Sequence, residues 1–266
     1  MRDRFTDIEL PKTLYKYRDW NNKYHRKLIS KQELYFPKPS EFNDPFDGNI
    51  PVRWDLLSFE ECYEKNLELM SIVLKDEDEN RVKAFVREQT EKKQLWHPEK
   101  LKRETSEQLD KWGKIIGLLS LSSACDNILM WSHYSMNHSG FVVGFDTQSM
   151  ANDYNFEWIE PVNYQFEYPL ISGNDDSRLQ FHKKFYYKSK LWEYEKEWRI
   201  SINHIEKRTV KLNPYSITEI ILGCKMNAKA TNQIIKLSKR KLRNNIAIFK
   251  ATKSKDNFGL DIEQLE

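Results

Sequence analysis

Lys190-Leu191-Trp192-Glu193-Tyr194-Glu195-Lys196-Glu197-Trp198-Arg199-Ile200 sets Glu193, Glu195 and Glu197 at alternate positions between two tryptophans. Downstream, Trp198, Ile200 and Ile202 alternate with Arg199, Ser201 and Asn203, the period of a half-buried strand. Extending that strand back to its mouth puts Glu195 and Glu197 on one side. Strands are depleted in Glu, and a buried charge is costly unless paired. A carboxylate pair at a strand mouth therefore suggests a site, able to stabilise developing positive charge, move a proton or hold a divalent ion.

Other segments carry reactive or ligand-binding types. Leu14-Tyr15-Lys16-Tyr17-Arg18 ends in a guanidinium that can offer a planar fork to phosphate or carboxylate, or pair with a surface acid. Ser120, Ser122 and Ser123 close an apolar strand; with no Gly-flanked elbow they read as orienting hydroxyls or strand-end filler rather than a nucleophile. Met130-Trp131-Ser132-His133-Tyr134 continues to His138 and Gly140. On a helix, one face of it would pack while the other stacks on a planar ligand, and His133 is a structural histidine or a base. Cys125, His133 and His138 match no zinc spacing, so no metal is expected. The basic tract Lys236 to Arg243 is a solvated helix face or a nucleic-acid contact. Dinucleotide, P-loop, zincin and nucleophile-elbow motifs are absent from the sequence.

The elements that must position these residues fall into three stretches of the 266 residues. Residues 10–54 hold short aromatic runs and turn chemistry, with Phe42-Asn43-Asp44-Pro45-Phe46-Asp47-Gly48 as a turn between aromatic anchors. Residues 55–114 are rich in Glu, Lys and Leu at helical spacing and predict a helical insertion. Residues 115–266 return to strands, at 116–122, 141–146, 160–166, 197–204, 217–223 and 245–251, with helices at 128–135 and 228–243. The expected fold is one α+β domain, 1–266, with a mixed or antiparallel sheet. Forty-three basic against 40 acidic residues give +3, no argument for nucleic acid on net charge. Three dispersed cysteines, no apolar leader and no membrane-length apolar run predict a cytoplasmic protein.

Taken in order, Phe42-Asn43-Asp44-Pro45-Phe46-Asp47, Met130-Trp131-Ser132-His133-Tyr134 with His138, and Trp192-Glu193-Tyr194-Glu195-Lys196-Glu197-Trp198-Arg199 resemble a widespread bacterial family catalogued as a domain of unknown function. More distantly, Tyr17-Arg18, Ser120-Leu121-Ser122 and Glu195-Lys196-Glu197 resemble the arginine–serine–glutamate class of ADP-ribosyltransferases. That resemblance implies a split-sheet core and NAD as substrate, cleaved at the nicotinamide–ribose bond, with ADP-ribose passing to a macromolecule or to water. It implies Glu197 at the ribose 2′-hydroxyl and developing charge, Glu195 at the acceptor, and Arg18 on a pyrophosphate or ribose oxygen. Ser120 or Ser122 would position the ribose or Glu197. Tyr17, Asn43, Trp131, His133 and Tyr134 would join Arg18 in contacting NAD. Two alternatives remain open: a binding module in which the glutamates pair with Arg18, Arg199 and the basic helix, and a nuclease holding a divalent ion on Glu195, Glu197 and Asp44.

Overall fold

The computed structural model describes residues 8–92, 107, 110–153, 156–213, 215–242 and 246–265. The chain divides into two compact units, one of Met1–Lys38, Lys114–Tyr164 and Lys190–Glu266, the other of Pro39–Gly113 and Gln165–Ser189.

In the first unit the chain order is β1 (Thr13–Arg18), α1 (Lys27–Ser30), β2 (Glu33–Tyr35), β3 (Ile116–Ser122), α2 (Ile128–Tyr134), β4 (Phe141–Asp146), α3 (Thr147–Asp153) and β5 (Trp158–Pro161). It continues with β6 (Glu197–Asn203), β7 (Thr209–Lys211), β8 (Ile217–Leu222), α4 (Ala228–Lys241), β9 (Ala247–Lys253) and β10 (Leu260–Gln264). The large sheet has eight strands in the order β10-β9-β8-β4-β1-β3-β6-β5. Within this sheet, among the described residues, only β8 and β9 pair in parallel, bridged by α4, because a parallel return needs a crossover long enough to span the sheet. The α+β class with a mixed sheet agrees with the sequence, and β2 falls on the short apolar run Leu34-Tyr35-Phe36, which reads as a strand ended by Pro37, whereas β7 and β10 lie in segments that carry no strand signal.

Centrally placed β1 pairs along its whole length with β4 but meets β3 in register only at Tyr15↔Ser122. The sheet is thus continuous in strand order and nearly parted between β1 and β3. Alternation divides its two faces. Leu14, Leu121, Phe141, Val143, Trp198 and Ile200 enter one core with Leu28 of α1 and Ile234 of α4. Tyr17, Val142, Ile221 and Ala251 enter the opposite core with Met130 and Trp131 of α2. Asn127 starts α2 by accepting from Leu129 N and Met130 N, and Asn227 starts α4 by accepting from Ala230 N, each satisfying first-turn donors. In α4 the inward Ile234 and Ser238 leave Lys236, Lys239, Arg240 and Lys241 exposed; Arg243 lies outside the described residues.

The second unit is where the insertion falls. Helix Phe59–Val73 begins with a reciprocal Ser58–Glu61 capping box, and helix Glu79–Glu91 is capped by Asp78. Much of the predicted segment 93–109 lies outside the described residues. A third helix, Ser177–Phe185, belongs to the same unit and gave no periodic signal in the sequence. It brings Phe181 and Phe185 against Trp112 and sets the fully buried Lys184 ammonium 5.4 Å above that indole. In the turn predicted at 42–48, Asp44 Oδ1 accepts from Phe46 N at 2.9 Å and Gly48 takes φ +71°.

Candidate functional site

β6 lies between β3 and β5, so its polar face is covered on both edges. Trp198 and Ile200 point into the first core, which turns Glu197, Arg199 and Ser201 to the other face. Arg199 has no exposed surface and Glu197 only 3%. The guanidinium meets the carboxylate as a fork: Nε donates to Glu197 Oε1 at 2.7 Å and Nη2 to Oε2 at 3.2 Å. Tyr164 Oη accepts from Glu197 N at 2.9 Å, fixing the strand's first residue.

Glu195 does not continue that strand, contrary to the sequence expectation. Residues Lys190–Glu195 form a 3₁₀ segment, and Lys196 takes φ +44°, a left-handed conformation uncommon for a residue with a Cβ. The break gives the two carboxylates different surroundings. Tyr134 Oη donates to Glu195 Oε1 at 2.6 Å, and Ser122 Oγ donates to the Glu195 carbonyl at 2.6 Å. Asn127 Nδ2 donates to the Tyr194 carbonyl at 3.0 Å, and His133 Nδ1 lies 3.1 Å from Tyr194 Oη. Deeper in, Tyr17 Oη donates to the Ala124 carbonyl, Trp131 Nε1 donates to the Cys125 carbonyl, and the two rings meet edge to face at 5.4 Å. The aromatic helix and the acidic segment are thus one hydrogen-bonded cluster, although 61 residues separate Tyr134 from Glu195.

Cross-strand register sorts the remaining candidates. Tyr15, Ser122 and Glu197 occupy one row across β1, β3 and β6, and Ser120 lies opposite Arg199 on the same face. Arg18 alternates away from Tyr15 and Tyr17; it sits opposite Phe141, on the Leu14 side. The structure therefore does not bring Arg18 into one cleft with Glu197. Trp131 is fully enclosed by the second core, so its ring has no face for a ligand. His133 is exposed and Tyr134 half-buried; Asn43 is an exposed residue of the second unit. Among the described residues, no group of three or more His, Cys, Asp or Glu side chains is arranged to hold a metal ion.

Arg199, named by the binding-module reading as a partner of the glutamates, pairs with Glu197 two positions before it on the same strand face. Two residues that the sequence left unassigned also matter here. Lys16 reaches across the gap between β1 and β3 to donate to the Ser120 carbonyl. Burial, with Cys125 and Glu219 nearby, raises the Tyr15 phenol well above the usual range. Burial first, then Asp126, pushes the Cys125 thiol up to about 11, which keeps it protonated and unreactive at neutral pH.

A family model described as "Protein of unknown function (DUF2971)" matches residues 130–200. The match opens on Met130 of α2 and closes on Ile200 of β6, so it takes in both sides of the Tyr134–Glu195 cluster. This segment is thus similar to an uncharacterised domain family, a label that carries no activity. No curated protein and no solved structure matches the chain. Among the described residues, no helix is long and apolar enough to cross a membrane.

Proposed function

We propose that the chain is an ADP-ribosyltransferase-like enzyme that cleaves NAD at the nicotinamide–ribose bond and passes ADP-ribose to a macromolecule or to water. The observation that carries this reading is the adjacency of β1, β3 and β6: strands far apart in sequence stand side by side, with Tyr15, Ser122 and Glu197 in one row. Nicotinamide leaves with the electrons of the C1′–N bond, and the ribose acquires oxocarbenium character, as sugars do between glycosidase carboxylates. Glu197, held by Arg199, is a fixed negative charge for that centre, and electrostatic preorganisation of this kind is often the largest catalytic term. Glu195 takes the proton from the acceptor as the new C1′ bond forms, and Tyr134 aims its carboxylate. Arg18 has no part in this row; the exposed basic run of α4 is the contact proposed for a nucleic-acid acceptor.

A second reading has one observation in its favour. The buried fork between Glu197 and Arg199 is the ion pair expected of a binding module in which the acidic cluster is structural. Release of nicotinamide from NAD separates the two. The enzyme reading expects turnover that falls about 100-fold or more in Glu195→Gln and Glu197→Gln, assayed well below their melting temperatures. Glu195→Gln keeps an oxygen to accept from Tyr134 and so tests chemistry with little change to the fold. If the protein neither binds nor consumes NAD with protein, DNA, RNA or water as acceptor, the enzyme reading fails and the binding module stands.

A further inference from the structure

On the Leu14 side of β1 lies a pocket of about 450 Å³, within the size range of small-molecule sites. Lys16 and Arg18 form part of its lining, with His25 and Lys27 from the segment that leads into α1, and Tyr24 and Tyr35 add aromatic surface. Three permanent cations thus line a cavity whose lining includes one carboxylate, Glu33, and that carboxylate is already 3.7 Å from Lys27 Nζ. Lys16 is engaged with the Ser120 carbonyl. Arg18 is different. Its guanidinium donates to the Tyr17 carbonyl at 3.3 Å, and among the described residues it has no ion-pair partner. Burial pushes its pKa down to about 10, still charged at neutral pH. A half-buried guanidinium without a counter-ion is poorly compensated, and its planar fork matches an oxyanion.

We propose that this pocket binds a phosphate monoester carried on a planar ring, the phosphate on Arg18 with Lys27 beside it and the ring against Tyr24 and Tyr35. The pocket opens on the face of β1 opposite the Tyr15–Ser122–Glu197 row, so its ligand is held rather than cleaved. The proposal stands or falls independently of the ADP-ribosyl reading.

Adenosine monophosphate is a suitable probe, titrated calorimetrically into the full chain at low ionic strength beside inorganic phosphate. Binding of the nucleotide at least tenfold tighter than phosphate is expected, since only the nucleotide uses the tyrosines. Arg18→Gln should weaken it about 10- to 100-fold while leaving the melting temperature equal or higher, because a half-buried charge without a counter-ion is removed. Lys27→Gln, at the pocket edge, should weaken it less. The proposal is overturned by an absence of nucleotide binding up to about 10 mM, well past the millimolar range. Equal affinity in Arg18→Gln, or phosphate bound as tightly as the nucleotide, overturns it as well.

Discussion

Replacing Glu197 by Gln takes from Arg199 the carboxylate it forks, in a place that solvent does not reach. The pair is 3% and 0% exposed, and its two hydrogen bonds measure 2.7 and 3.2 Å. Breaking a buried pair from one side costs about 3–5 kcal/mol, most of it the penalty of the charge left behind. For a domain of this size each kcal/mol lowers the melting temperature by about 2–4 °C, so the variant should melt about 6–20 °C lower. Thermal and urea unfolding, followed by far-ultraviolet circular dichroism and tryptophan fluorescence, measure the loss. The double variant Glu197→Gln/Arg199→Met removes both charges at once and should recover much of it, giving a coupling term well above 1 kcal/mol. A single variant within about 1 kcal/mol of the parent, or a double variant as unstable as the single, would refute the account of a desolvated fork. Either result also bears on the enzyme assay, because an inactive Glu197→Gln protein is informative only where it remains folded.

Tyr134→Phe deletes a hydrogen bond to a buried carboxylate and should cost about 1.5–3 kcal/mol in urea unfolding, more than Tyr17→Phe, whose hydroxyl donates to a neutral carbonyl. Lys184 is fully buried and, among the described residues, its ammonium has no hydrogen-bond partner; burial pushes its pKa down to about 8. The folded state therefore disfavours its proton, and stability is lost as pH falls from the unfolded value near 10.4 through 8. Lys184→Met should accordingly stabilise the second unit at pH 7 by about 1–3 kcal/mol, the contact with Trp112 offsetting part of the gain. A denaturation series from pH 7 to 10.5 should rise for the parent and stay flat for the variant. His25 is held down at about 4, by burial first and then by Arg18. Its contribution is present above about 6.5 and is lost as pH falls towards 4, so a melting curve across that window should flatten in His25→Gln.

Legibility of the fold followed how strongly each segment separates its faces. Trp198, Ile200 and Ile202 against Arg199 and Ser201 announce β6, and the apolar run Phe141–Phe145 announces β4. Leu14-Tyr15-Lys16-Tyr17-Arg18 announces a strand without saying which face is inward, because tyrosine, lysine and arginine all pair an apolar body with a polar tip. The parity that sends Arg18 away from Glu197 emerges only from the partners Gly144 and Phe141 on β4. At the acidic mouth, a two-residue period was extended one step too far: nothing in Glu195-Lys196-Glu197 marks Lys196 as left-handed, since glycine and asparagine are the residues that advertise it. Ser177–Phe185 went unread because lysine and glutamine occupy buried positions of its inner face. The helical insertion was visible by composition. Its companion helix Ser177–Phe185, from residues 165–189, was not, because a unit assembled from two distant segments leaves no single compositional border.

The position of β1 has a consequence for biosynthesis. It is made long before its neighbours, β3, which begins at Ile116, and β4, which ends at Asp146. A nascent chain emerging at about 5–20 residues per second would hold this strand unpaired for about 5–30 seconds. Throughout that interval its amide edges are open on both sides, and Tyr15 and Tyr17 on one face and Leu14 with the Lys16 and Arg18 stems on the other seek cover, the condition in which strands recruit the wrong neighbour. Lys16 and Arg18, whatever they bind in the finished molecule, also keep this waiting strand charged, and repulsion between like-charged edges is a recognised guard against premature pairing with another chain.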